Sequence, residues 1–217
     1  MNEAFNMWGY VDITIFWLYT YILMVETLRD LIIPVLTDKL KLHHSIYRLP
    51  CTSEFLEELI SDSLHSVGYT NDWKPNRSHS VSVDMNLDIG PSFSVKSGIY
   101  DDTKQTLTFS GSRLGKHKTL DEMIKTINDT SADYYICVSK RDQDWSITPT
   151  KSQTKYYYVF VFKSDLINYN AVWDTKDSGV YFMGSEGLSA KIVPSMSHQL
   201  WTTVSESIIG TPVKLEI

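Results

Sequence analysis

An aspartate, a serine and a lysine stand close together in VDMNLDIGPSFSVKSG, at Asp84, Ser94 and Lys96. Gly90-Pro91 between them marks a turn, with strands expected over His79 to Ile89 and Phe93 to Ser97. Ser94 and Lys96 are two apart, so on a strand their side chains share one face. Asp84 then lies on the opposing arm of the hairpin. That combination suits hydrolysis of a phosphodiester, which needs the phosphate neutralised, a water activated and the leaving oxygen stabilised. A Mg²⁺ held by a carboxylate supplies the first and helps with the others. A lysine beside a cation loses its proton more readily and can orient the water or help deprotonate it. Asp88 competes for the ligand's place, but it sits two residues from the turn, and hairpin geometry favours Asp84. The plain alternative is a solvated strand lysine among ordinary polar neighbours.

A basic segment follows. From Thr103 to Leu120 there is no acidic residue, while Lys104, Arg113, Lys116, His117 and Lys118 occur. Ser110-Gly-Ser112-Arg113 offers hydroxyls, backbone amides and a guanidinium together. Such groups suit phosphate contacts, and an arginine can read guanine edges bidentately. Placed directly after the hairpin, Lys104, Ser110, Ser112, Arg113, Lys116 and Lys118 are expected to contact DNA rather than form a merely solvated loop.

The elements that must hold these residues can be read from periodicity. Thr52 or Ser53 caps a helix through FLEELISDSLHSVG, with Phe55, Leu56, Leu59, Ile60 and Leu64 as its apolar stripe and Gly68 at its end. Gln105 to Phe109 reads as a third short strand. Thr119-Leu-Asp-Glu122 is a capping box opening the helix LDEMIKTIN. Asp133 to Ser139 and Lys155 to Phe162 are apolar, β-rich runs of the kind that fill central strands. Loops, short strands and a helix at His198 to Ile209 complete the chain. The order predicts an α/β fold, a mixed β-sheet flanked by helices.

The hairpin resembles the PD-(D/E)xK nuclease signature, an acid on one strand and an acid-x-Lys on the next, as found in type II restriction endonucleases. The helix ahead of it resembles that family's first helix, and the helix opened by Thr119 resembles the one that follows. The likeness covers Thr52 to Ser139, and Ser195 to Trp201 (SMSHQLW) resembles late segments of some restriction enzymes. It implies a restriction-endonuclease-like fold and catalytic roles for Asp84, Ser94 and Lys96. It also implies a further metal-ligating acid, Glu58 or Glu57 on the first helix. The sequence departs from the pattern at Ser94, where an acid is usual. Some members with Ser-x-Lys draw the missing acid from the following helix, which makes Glu122 the other candidate, unless it only caps that helix.

Bulk properties agree with a globular domain. The 217 residues, 42% hydrophobic and 21% charged, fit one domain over 1–217 with a helical N-terminal part over 1–45. The net charge of −6 is unlike a dedicated nucleic-acid binder yet leaves room for a small basic cleft. Cys51 and Cys137 show no zinc or disulfide spacing, which points to a reducing, cytoplasmic setting. Ile13 to Val25 is apolar, shorter than the roughly 20 residues of a membrane span, and lacks signal-peptide features. It is expected to form a buried or dimer-facing helix ending near Pro34, with no membrane contact. His43-His44 reads as a surface turn. No Walker loop, GxGxxG, GxSxG or HExxH occurs. The expected activity is therefore Mg²⁺-dependent, sequence-specific cleavage of double-stranded DNA by a homodimer with two symmetry-related sites. A catalytically silent DNA- or protein-binding domain is the alternative.

Overall fold

The computed structural model describes residues 13–51, 53–75, 83–129, 132–141 and 155–217, and side chains of the first two helices from Val25 and Phe55 onward. The chain is α/β, built on one large mixed sheet with few helices. Helices α1 (Ile13–Ile46) and α2 (Ser53–Ser66) come first. Then follow β1 (Met85–Asn86), β2 (Ser92–Asp101), β3 (Thr106–Arg113), α3 (Leu120–Asn128), β4 (Tyr134–Arg141) and β5 (Tyr156–Lys163). The C-terminal part holds β6 (Val172–Lys176), β7 (Gly179–Met183), β8 (Leu188–Val193), β9 (Gln199–Ser205), α4 (Glu206–Ile209) and β10 (Val213–Glu216).

Among the described residues the ten strands run β10-β5-β4-β2-β3-β9-β8-β7-β6, with β1 added to β2. Among the described pairs only β2 and β4 are parallel, which fits the long connection between them through β3 and α3. Alternation along β2 and β4 sorts the core into two layers. Phe93, Val95, Tyr134, Ile136 and Val138 pack with α1 and α2. Tyr100, Tyr135 and Cys137 pack with Leu107, Phe109, Met123 and Ile127 on the α3 side.

Several boundaries differ from expectation. Helix α1 does not stop near Pro34 but continues to Ile46. Its Val25, Leu28, Ile32, Leu36 and Leu40 are buried at helical spacing. A proline inside a helix costs about 3 kcal/mol, and burying a leucine returns about 1.5–3 kcal/mol, so Leu36 and Leu40 offset the interruption. Pro34 and Asp30 are both exposed, so water can serve the carbonyl that loses its amide partner. Side chains of residues 13–24, on which most of the expected apolar segment lies, are outside the described set. No described helix is long and apolar enough to cross a membrane.

Gln199 to Ser205 is a strand rather than a helix, with only Glu206–Ile209 helical after it. Leu200, Thr202 and Val204 are buried while Trp201, Thr203 and Ser205 are not, which is the period of two of a strand. Strand β3 runs four residues beyond Phe109, so Ser110–Arg113 is strand and not loop. The expected arm from His79 shortens, among described residues, to Met85–Asn86, and residues 79–82 are outside the described set. Thr52 is outside it too, while Phe55, expected in the apolar stripe of α2, is 64% exposed. Leu56, Ile60 and Leu64 carry that helix's packing.

His43 and His44 occupy the last turn of α1 instead of a surface turn. The Tyr47 carbonyl lies 3.0 Å from His44 Nδ1 and requires a donor there, so Nε2, 2.9 Å from the Tyr157 hydroxyl, accepts. The same hydroxyl accepts from the Cys51 amide at 2.7 Å. Burial, chiefly, lowers the His44 pKa to about 4. The unfolded state therefore binds more protons between about pH 6.5 and 4, and stability falls as pH drops through that window. His44 is only half-buried, so the loss is about 1–2 kcal/mol rather than the full shift. His44→Asn should flatten urea-unfolding stability between pH 7 and pH 4.5. An unchanged slope would place the titrating group elsewhere.

Candidate active site

Strand β1 is short because its partner surface on β2 is shared. β1 pairs with Ser92 and Phe93, and β3 pairs with β2 from Gly98 onward, on the same edge. Between them no described strand pairs with Ser94 to Ser97 on that edge, and Asp84 reaches the Val95 amide there. Its amide donates to the Phe93 carbonyl at 2.9 Å, fixing the backbone just before β1. Its Oδ2 accepts from the Val95 amide at 2.7 Å, from Ser94 Oγ at 3.0 Å and from Lys96 Nζ at 3.1 Å. The carboxylate thus serves the Val95 amide while pairing a lysine.

The pair is largely withdrawn from water, with side-chain exposure of 19% for Lys96 and 14% for Asp84. Ser94 is fully buried. An unpaired charge there would be costly, and three donors on one carboxylate oxygen fix the side chain in place. Lys96 lies beside Cys137 of β4, and burial pushes that thiol's pKa up against a smaller opposing pull from the lysine. Oδ1 of Asp84 takes no hydrogen bond from the described residues, which leaves one hard oxygen available to a cation.

Asp84, Ser94 and Lys96 are therefore brought together. Asp88 is not among them: it is exposed at the turn, where it accepts from Thr70 Oγ1 at 2.5 Å and its amide bonds the Thr70 carbonyl. Glu58 is exposed on α2, whose buried residues pack on the face of β2 opposite to Lys96. Glu57 lies 3.4 Å from Trp73 Nε1. Glu122 closes the capping box: its Oε2 accepts from the Lys118 and Thr119 amides at 2.8 and 3.3 Å, while its amide donates to Thr119 Oγ1. Those two amides, Lys118 first, hold its carboxyl below the usual range. Among the described residues no group of three or more His, Cys, Asp or Glu side chains is arranged to hold a metal ion. None of the three glutamates joins Asp84 in such a group.

The basic residues divide. Lys104 sits in the β2–β3 turn, paired with Asp101 at 3.0 Å. Seven residues of strand, roughly 23 Å, separate Asp101 from Ser94, so Lys104 lies at the far end of the hairpin. Ser110 has the opposite strand parity to Phe109 and so faces away from the layer that holds Lys96. Ser112 is half-buried within the bulge that shifts the β3–β9 register between Ser110 and Arg113. Arg113, Lys116 and Lys118 are exposed at the same end of the sheet as Ser94, and neither lysine is ion-paired among the described residues.

Gln199 was not singled out in the sequence, yet it organises this end. Buried at 7% exposure, it donates from Nε2 to the Gly111 carbonyl at 2.5 Å and accepts on Oε1 from Arg113 Nε at 3.3 Å. It thus substitutes for the ladder bonds that the bulge gives up and holds the exposed Arg113 by its Nε. Leu114 donates its amide to the His198 carbonyl, and a Cβ on Gly115 would stand 3.0 Å from the Ser197 carbonyl oxygen. Glycine permits that approach of the basic segment to the turn before β9. A glutamine inside an alternating strand was the only available signal, since a buried amide requires partners.

Comparison of the chain with protein-family models, curated proteins and solved structures found no match in any of the three.

Proposed function

We propose that the protein is a Mg²⁺-dependent endonuclease acting on double-stranded DNA, a site-specific deoxyribonuclease of the type II restriction kind with a PD-(D/E)xK-like hairpin. The observation that carries the reading is the convergence of Ser94, Lys96 and the Val95 amide on Asp84 Oδ2. Asp84 Oδ1 would ligate the cation, and Lys96 would orient the attacking water. Ser94 and the Val95 amide hold the carboxylate in register. A bound Mg²⁺ would neutralise the phosphate and stabilise the leaving oxygen. A second carboxylate, Glu58 or Glu122, would have to move toward Asp84, Glu122 out of its helix cap. Two copies related by a two-fold axis would address the two strands.

A silent binding domain is the second reading, and Ser94 supports it. The residue that is usually an acid is here a hydroxyl spent on Asp84.

Supercoiled plasmid distinguishes the two. It should be cut with Mg²⁺ or Mn²⁺ and spared in EDTA, with Ca²⁺ supporting binding without cleavage. Full activity in excess chelator would remove the metal from the account, and intact DNA under every metal would favour the binding domain.

The exposed basic residues give a graded expectation. Arg113→Ala should weaken binding to a specific site by about 1–3 kcal/mol if it reads a base. Lys116→Ala should weaken binding to all sequences alike and lower the salt dependence, as a phosphate contact does. Electrophoretic mobility shifts at two salt concentrations separate these outcomes. Parental binding by both variants would put this end of the sheet away from the DNA.

A further inference from the structure

The face of β3, β9, β8, β7 and β6 turned away from the α3 layer is not the face that carries Lys96, and none of the described side chains of α1 and α2 packs in a core cluster with it. Registers place Ser110, Trp201, Lys191, Tyr181 and Asp174 side by side, one per strand, in a single row across it. Beside that row Thr108 and Thr203 pair their hydroxyls at 2.8 Å. Together these strands line a cavity of about 680 Å³, with Met183 and Met196, 57% and 50% exposed, at its margins.

The row has a specific chemistry. Lys191 stands between two half-buried aromatic rings on the adjoining strands, and no ion pair engages it among the described residues. The row's one carboxylate, Asp174, is 3.4 Å from Lys176, whose ammonium also lies 5.3 Å from the centre of the Tyr181 ring, so Lys191 is the row's uncompensated charge and the second face of Tyr181 is the one left for a base. Trp201 and Tyr181 are two strands apart, about 10 Å at the usual strand spacing. That is some three times the stacked rise of ~3.4 Å per nucleotide. Bases seated on the two rings would be splayed apart, with the intervening phosphodiester over Lys191. Stacking on aromatic rings requires unpaired base faces, which a duplex hides.

We infer that this open sheet face binds single-stranded nucleic acid, with bases on Trp201 and Tyr181, a phosphate at Lys191 and hydroxyl contacts from Thr108 and Thr203. The inference does not depend on the nuclease reading, because it concerns the opposite face of the sheet and needs no metal.

The full chain is titrated into a fluorescein-labelled 12-mer of thymidylate in excess EDTA, so that cleavage cannot intervene, and anisotropy is read at 50 and 200 mM salt. The parent should bind, more weakly at higher salt. Trp201→Ala should lose about 10-fold or more in affinity, as removal of one stacking platform does. Trp201→Phe, which keeps a ring, should retain most of it, and thermal melts identify any variant that fails to fold. Lys191→Gln should weaken binding and reduce the salt slope by about 0.7. Lys41→Gln, the same charge change on exposed α1, should leave binding unchanged. No binding by the parent, parental affinity in a folded Trp201→Ala, or equal losses from Lys41→Gln and Lys191→Gln would each overturn the inference. So would self-association of the parent through this face, abolished by Trp201→Ala, which would assign it to a second copy of the chain.

Discussion

Lys96→Ala is expected to lower the rate of Mg²⁺-dependent DNA cleavage by about 10²–10⁴-fold, the contribution typical of a positioned acid–base group. Folding and DNA binding should survive. The lysine is the smaller part of the arrangement that holds Asp84, because the Val95 amide at 2.7 Å and Ser94 Oγ at 3.0 Å remain when it is gone. The carboxylate therefore keeps two donors and its place beside β2. Single-turnover cleavage, measured beside circular dichroism and a mobility shift, separates the chemical loss from a structural one. Normal cutting by Lys96→Ala would leave the hairpin structural and remove the local basis of the nuclease proposal.

Asp84→Ala should do more damage. It strands three donors at once: the Val95 amide, the fully buried Ser94 hydroxyl and the Lys96 ammonium, whose side chain is 19% exposed. Removing one partner of a withdrawn ion pair costs about 3–5 kcal/mol, because the surviving charge has no compensation. Urea unfolding should show that loss, well above the loss in Lys96→Ala. Cleavage should vanish too, through lost metal affinity, so high Mn²⁺ should restore part of it in whatever fraction stays folded. Asp88→Ala is the comparison, since Asp88 is exposed and engages Thr70. Near-parental stability and cleavage are expected of it. A silent Asp88→Ala beside an active Asp84→Ala would exchange the two assignments.

What could be read from the sequence was local. The capping box at Thr119 and the helix Leu120–Asn128 depend on residues three apart, and both appear as expected. Strands β4 and β5 were visible because a run such as YYICV is β-prone and apolar on both faces, as burial between two layers requires. Asp84 was preferred to Asp88 from turn geometry alone, and Asp84 is the one that meets Lys96. The failures concern contacts distant in the chain. Ser110–Arg113 became strand because Gln199, 88 residues from Gly111, supplies the hydrogen bonds that its bulge gives up. Helix α1 passes Pro34 because Leu36 and Leu40, two and six residues later, are buried in the cluster with α2 and the sheet. Glu57 and Glu58 share a helix with the buried stripe, and no local pattern says which edge of that helix approaches β1. The position of an additional acid depends on tertiary packing, and so was not legible.

End mapping on a mixed-sequence plasmid tests the central proposal most directly. The parental protein is incubated with Mg²⁺ and, in parallel, with chelator, and every new 5′ and 3′ terminus is sequenced. The proposal predicts termini in Mg²⁺ alone, recurring at one short sequence, on both strands and at a constant offset about a two-fold centre. An intact plasmid in Mg²⁺ and Mn²⁺, or termini of equal number in chelator, would contradict it.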